Sequence, residues 1–195
     1  MGVGEVLAHP TVWLLAIIMF CCQTGSYGLT LWVPTIVKGL SGFTNVEVGF
    51  ISALPYIAAA ADMVLIGRSS DRSGERFMHV AIPTPIGAVG FVFTALLKSP
   101  IPAMIALTVA AVGDYGTRGP LWALPGRFLT GSAAAAGIAL INAMGAVGGF
   151  VGPFAVGYLK DASGNFESGL FLLAGILLAG SILTLFPRHS KTRRR

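Results

Sequence analysis

Charge is scarce in this sequence. Asp, Glu, Lys and Arg make up 11% of the 195 residues, against roughly 25% in an ordinary soluble domain. With 54% hydrophobic residues and a mean hydropathy of +0.78, that shortage excludes a typical water-soluble fold. Cysteine is nearly absent. The two that occur, Cys21 and Cys22, are neighbours in an apolar run, which excludes a disulfide framework and a zinc ligand set. They read as small buried hydrophobes. The three histidines, His9, His79 and His189, lie near the ends of apolar stretches or in the tail, without metal-ligand spacing. Headgroup or solvent contact is the expectation for them, and no metal or cofactor is expected. There is no nucleophile elbow, no phosphate loop and no catalytic carboxylate pair, so nothing points to an enzyme. A basic leader is also missing: the first Lys or Arg is Lys38, so the N-terminus does not read as a secretory signal.

Long apolar stretches are what the chain does have. Six spans are predicted, at about Thr11–Val37, Val46–Gly67, Phe77–Leu97, Ile101–Gly126, Gly131–Tyr158 and Gly169–Phe186. Each is close to or above the ~20 residues a helix needs to cross a ~30 Å hydrocarbon core. The expected class is an all-α integral membrane protein, a single six-helix domain over residues 1–195 with a basic tail at 187–195. The net charge of +5 and pI near 9.6 follow the loops, not a nucleic-acid face. Nine basic residues (Arg68, Arg72, Arg76, Arg127, Arg188, Lys191, Arg193, Arg194 and Arg195) fall on one side. The other side holds Lys38, Lys98 and Lys160, and Arg118 lies inside a span. The positive-inside rule then puts both termini, tail included, in the cytoplasm.

Glycine and proline are abundant, at 26 and 11. Membrane helices tolerate both, because neighbouring groups re-satisfy freed backbone. Gly145 and Gly149 form one GxxxG and Gly148 and Gly152 another, a pattern that brings helices close. Gly113, Gly116, Gly119 and Pro120 crowd the fourth span and predict a bent or locally unwound helix there. Broken helices of this kind often line transport sites.

Residues 67–76, GRSSDRSGER, gather five charges into ten positions between the second and third spans. The order Gly67-x-x-x-Asp71-Arg72-x-Gly74-x-Arg76 resembles the signature loop of the major facilitator superfamily, which in that family joins the second and third helices of each six-helix half. Glu75 stands where the family prefers a basic residue. LTLWVPTIVK (29–38) and LPYIAAA (54–60) are similar to the seventh and eighth helices of the anion:cation symporter branch. Residues 121–164 look like the tenth and eleventh helices of its tartrate- and phthalate-type members. The resemblance implies helices seven to twelve of a twelve-helix transporter, built as two inverted three-helix repeats in the inner (plasma) membrane. It also implies that the loop acts as a conformational latch, with Asp71 capping a helix N-terminus and Arg72 and Arg76 pairing with acidic groups or last-turn carbonyls. A solvated loop that only fixes topology is the competing reading.

Ionisable or polar side chains inside spans mark cavities or partners, since each is costly in lipid. Asp114 and Arg118 are four apart, on one helical face. They either neutralise each other or face a cavity where Arg118 binds a carboxylate through its planar fork and Asp114 responds to a proton. Trp122 continues that face if the helix survives its glycines. Gln23, Tyr27, Thr30 and Pro34 form one stripe of the first span. Asn142 shares a face with Gly145 and Gly149, and the resemblance matches it to an asparagine that contacts substrate in some members. Tyr56 completes the set of cavity candidates. Asp62, where the family tends to carry a small residue, is expected to snorkel or to pair with the loop.

The resulting expectation is symport of a small organic anion, such as a hydroxy- or dicarboxylate, with a proton or cation by alternating access. The expected partners are that anion, the coupling ion, the bilayer and an N-terminal six-helix half in the same or another chain. The resemblance implies that key anion-binding arginines lie in that other half. A non-transporting subunit, a truncated product and a drug efflux pump are the alternatives.

Overall fold

A computed structural model describes residues 3–40 and 42–186; the basic tail at 187–195 lies outside the described residues. Among these the chain is helical, without strands. The elements are α1 (Val3–Leu7), α2 (Pro10–Leu40), α3 (Asn45–Ser73), α4 (Met78–Ala81), α5 (Pro83–Leu96), α6 (Pro100–Tyr115), α7 (Arg118–Ala123), α8 (Gly131–Ser163) and α9 (Glu167–Leu185), with a 3-10 turn at Pro125–Arg127 between α7 and α8. Each predicted span has its counterpart. Five helical stretches are long and apolar enough to cross a membrane, and the chain is a multi-pass membrane protein. The remaining crossing is made by α6 and α7 together, and neither piece is long enough alone.

Local chemistry explains the boundaries. Prolines open α2, α5 and α6 at their first positions, where a missing N–H costs nothing. Thr44 caps α3 reciprocally: the Glu47 N–H donates to Thr44 Oγ1 at 3.4 Å, and the Thr44 N–H donates to Glu47 Oε2 at 2.8 Å. Thr44→Ala removes this capping box, with an expected loss of about 1 kcal/mol of stability, measurable by thermal unfolding in detergent. Gly74, at φ +66°, ends α3 in the left-handed conformation, and Gly164, at φ +77°, ends α8 the same way. Several hydroxyls within the spans bond to the preceding turn: Thr24 donates to the Phe20 carbonyl at 2.8 Å, Thr94 to Gly90 at 2.8 Å and Thr108 to Met104 at 2.8 Å. Cys21 and Cys22 are buried free thiols.

The main packing pairs are α2 with α8, α3 with α6, α5 with α6, α2 with α9, and α5 with α9. Exchanging α2 with α6, α3 with α8 and α5 with α9 maps this set onto itself. That is the pairing expected of two three-span repeats. An odd number of crossings per repeat makes the second inverted relative to the first.

Glycines set the separations. Gly148 and Gly152 of α8 lie on the backbone of α2, where a Cβ would overlap the carbonyl oxygens of Phe20 and Thr24 respectively. On the next face, Gly145 receives the Met19 and Gln23 side chains and Gly149 the Tyr27 ring. The GxxxG pair is thus a packing device that also seats two polar side chains. α3 and α8 are the least buried long spans, with Phe50 and Ile57 of α3 and Phe150 and Phe154 of α8 exposed.

Candidate functional site

The predicted break in the fourth span falls at Gly116 and Thr117. α6 closes with the Gly116 N–H donating to the Val112 carbonyl at 3.0 Å, and α7 begins at Arg118. The four residues that predicted the break divide the work. Gly113 is a crossing contact, packed on the Gly87 backbone of α5. Gly116 is the elbow. Gly119 faces Gly67 of α3, whose Cα lies 3.7 Å from a Cβ built on Gly119. Pro120 sits in the first turn of α7, where its missing N–H is tolerated.

Asp114 and Arg118 straddle this elbow. Asp114 is completely buried, and its Oδ1 lies 3.5 Å from Arg118 Nη2. Ser26 of α2 ties the two together: its hydroxyl donates to Asp114 Oδ2 and accepts from Arg118 Nη2. Arg118 Nη2 also donates to the Cys22 carbonyl at 3.2 Å. Its guanidinium carbon lies 5.6 Å from the centre of the Tyr115 ring, within cation–π range. Among the described residues Asp114 Oδ1 has no hydrogen bond of its own. The pair is therefore an intramembrane ion pair with one open acceptor.

A pocket of about 300 Å³ lies beside it, lined by Gln23, Ser26, Tyr27, Thr30 and Tyr115. The Thr30 and Tyr115 hydroxyls are 2.8 Å apart and hydrogen-bonded. Tyr56 meets Tyr115 edge-on, with ring centres 5.9 Å apart, and among the described residues its buried hydroxyl has no hydrogen-bond partner. The sequence stripe thus supplies Gln23, Tyr27 and Thr30 together, and the ion pair stands behind Ser26 and Tyr115. Ser26 and Tyr115 were not singled out by sequence. Ser26 is three residues after Gln23 and four before Thr30, so a stripe drawn with both helical spacings includes it. Trp122 lies one turn beyond Arg118 but outside the pocket lining and is substantially exposed. Asn142 is exposed on α8, one turn before Gly145, and does not line the pocket either.

In the charged loop, Asp71 does not cap a helix N-terminus. It lies in the last turn of α3 and pairs with Arg76, Oδ1 to Nη1 at 2.6 Å. The capping role belongs to Glu75, whose Oε2 accepts from the Met78 N–H at 2.7 Å at the start of α4. The family-atypical residue therefore has a local job. Arg76 also donates to Ser70 Oγ at 3.1 Å, and Ser70 Oγ donates to the Glu75 carbonyl at 2.8 Å. Arg127, in the turn before α8, donates to the Gly74 carbonyl, which joins two loops on this side of the bundle. Arg72 is exposed, and Gly67 belongs to α3, not to the loop. His79 bonds Ser69 Oγ through Nε2 at 3.0 Å, and His9 stacks on Phe128; His189 lies outside the described residues.

A helical bundle with an inverted repeat, an elbowed span and a polar pocket against that elbow is the architecture of half a membrane transporter. Residues 15–195 match the Major Facilitator Superfamily, and the chain belongs to that family. It is 46% identical over 187 residues, 96% of its length, to a protein of Agrobacterium vitis named a putative tartrate transporter, of which it covers 41%. It is 43% identical over 180 residues to a quinolone resistance transporter of Acinetobacter baumannii, covering 92% of this chain and 42% of that protein. It is 36% identical over 193 residues to the inner membrane transport protein RhmT of Escherichia coli K12, covering 97% of this chain and 44% of that protein. The chain thus spans about two fifths of the length of these curated relatives.

Proposed function

We propose that this chain forms the C-terminal six-helix half of a transporter that moves a small organic anion, a hydroxy- or dicarboxylate, together with protons by alternating access. The observation that carries the reading is the Asp114–Ser26–Arg118 cluster buried at the elbow beside a polar pocket. A carboxylate entering the pocket competes with Asp114 for the guanidinium fork. Protonation of Asp114 removes that competition, so proton and anion bind together. The Tyr115, Thr30 and Gln23 polar groups then serve the substrate hydroxyls or its second carboxylate. The exposed faces of α3 and α8 take the N-terminal half, in the same or another chain, and the bundle sits in the inner membrane with both ends cytoplasmic. The name of the Agrobacterium relative supports the anion class.

Drug efflux is a second reading, supported by the name of the Acinetobacter relative. Uptake of labelled tartrate by the full-length polypeptide in proteoliposomes separates the two. The anion reading expects competition from unlabelled dicarboxylates and none from hydrophobic cations; the reverse order of competition overturns it.

The latch is part of the same proposal. The Asp71 side chain is 71% exposed, so its pair with Arg76 contributes little to stability. Asp71→Asn is therefore expected to leave insertion and thermal unfolding unchanged while lowering uptake several-fold. Unchanged uptake reduces the loop to a topology signal.

A further inference from the structure

Asp62 is an ionisable side chain in the membrane-spanning part of α3, and among the described residues no hydrogen bond or ion pair engages it. It is half-buried and stands against the elbow: a Cβ placed on Gly116 would overlap its Oδ2. The same point lies 3.0 Å from the Val112 carbonyl oxygen. Asp62 therefore meets the carboxyl end of α6, where the helix carries its negative partial charge. α6 ends at Tyr115, and beyond the elbow the first turn of α7 carries Pro120, which leaves one N–H fewer to face a carboxylate. A carboxylate at a carboxyl end, inside a bilayer, without a counter-charge, is an arrangement that calls for a cation.

The surrounding elements do not supply one. On α6, Asp114 is turned to Ser26 of α2, and the Tyr115 hydroxyl is held by Thr30. On α7, Arg118 is committed to Asp114, Ser26 and the Cys22 carbonyl. On α2, Tyr27 lies over Gly149 of α8, and Lys38 bonds Asn45 at the far end of α3. On α3 itself Arg68 is six residues on, about 9 Å along the axis, and exposed. His79, Arg76 and Arg72 belong to the loop beyond. A proton is the cation that fits, since the neutral acid donates to a carbonyl where the carboxylate only repels it.

We propose that Asp62 and the carboxyl end of α6 form a proton-binding site at the elbow, separate from the Asp114–Arg118 pair, and that its proton is a second one carried with a dicarboxylate. Binding is simple association: hydronium gives its proton to the Asp62 carboxylate and leaves as water. The occupied site holds α3 on the elbow, and the ionised site pushes the two apart. One proton at Asp114 and one at Asp62 balance the two charges of the anion, so the cycle moves no net charge. This inference rests on the proton-coupled anion reading above.

Asp62→Asn keeps the shape and removes the proton. In proteoliposomes of the full-length polypeptide, with tartrate as the probe and potassium–valinomycin setting the potential, wild-type uptake is expected to ignore the potential. The variant is expected to exchange tartrate for tartrate within about twofold of wild type. Its proton-to-tartrate ratio should fall about twofold, and its net uptake should come to depend on the potential, since one charge now crosses uncompensated. An unchanged ratio and an unchanged response to potential overturn the proposal. Wild type that neither takes up nor exchanges tartrate sinks the anion reading, and infrared difference spectra between acid and alkaline pH then decide the site alone. A protonated-carboxyl band present in the wild type and missing in Asp62→Asn supports it, and identical spectra overturn it. Asp62→Ser, smaller at the Gly116 contact, replaces Asn in every arm if Asn impairs insertion.

Discussion

Arg118→Ala is expected to abolish anion uptake and to cost about 3–5 kcal/mol of stability, the usual penalty for orphaning one member of a buried ion pair. The reason is geometric. Asp114 is fully buried, and among the described residues its carboxylate receives a hydrogen bond from only one side chain, Ser26. Without the guanidinium its charge is uncompensated, and the protein must either protonate it or open the elbow. The neutral double variant Asp114→Asn/Arg118→Gln removes both charges and keeps similar volume and hydrogen-bonding capacity. Replacing both members of such a pair at similar volume, best documented with well-packed apolar residues, is often near neutral for stability. The double variant is therefore expected to recover most of the unfolding temperature in detergent and none of the tartrate uptake. A double variant that regains uptake along with stability shows that the pair only neutralises itself, and Arg118 then has no role as an anion ligand. Arg118→Ala that unfolds like wild type contradicts the burial argument instead.

The same cluster shows what a linear reading can and cannot find. Asp114 and Arg118 were visible because charge inside a span is rare and their spacing put them on one face. The break between them was visible from its glycines and Pro120. Ser26 was not, because serine is common in membrane helices and its role is fixed by a helix about 90 residues away in sequence. Tyr115 was passed over for a related reason: its value comes from Thr30 on α2 and Tyr56 on α3, and no local pattern encodes a partner on another helix. Trp122 followed from continuing a helical face beyond Arg118, and that extrapolation does not reach the pocket lining. The charged loop was recognised as a unit from its order of residues. Within it, Arg76 does pair with an acidic group, Asp71, but Asp71 does not cap a helix, because a cap depends on where α3 stops. α3 runs to Ser73, well past Gly67, and that moves Asp71 into a helix end and leaves Glu75 to accept from the first N–H of the next one. Spans, repeats and family were legible because they are set by composition and period. Pairwise duties were legible only where both partners lie within a turn of each other.

Glycine presents the same division in a form that can be measured. Twenty-six glycines look alike in the sequence, but the structure sorts them by what stands opposite. On Gly113 a Cβ would lie 2.6 Å from the Pro83 carbonyl oxygen and overlap the Gly87 backbone; on Gly90 it would lie 2.7 Å from Ala110 Cα. Both obstacles are main chain of the facing helix, so no rotamer change relieves them. Gly113→Ala and Gly90→Ala must push α5 and α6 apart, at an expected cost of about 1–3 kcal/mol each. Gly28→Ala meets Leu173 side-chain atoms first, the nearest at 2.8 Å, and is expected to cost less, because a leucine end can shift. Gly175, in the middle of α9, has nothing within 4 Å. Gly175→Ala is expected to gain up to about 1 kcal/mol, from the reduced backbone freedom of the unfolded chain and the better helix propensity of alanine. Thermal unfolding of the four variants in one detergent should therefore rank Gly175→Ala above wild type, Gly28→Ala below it and the two α5–α6 variants lowest. Uptake should fall most for Gly113→Ala, since it lies one residue from Asp114 and displaces the helix that carries it. Four variants with equal unfolding temperatures exclude a backbone-to-backbone crossing of α5 and α6, and with it the close packing that holds the elbowed span in place.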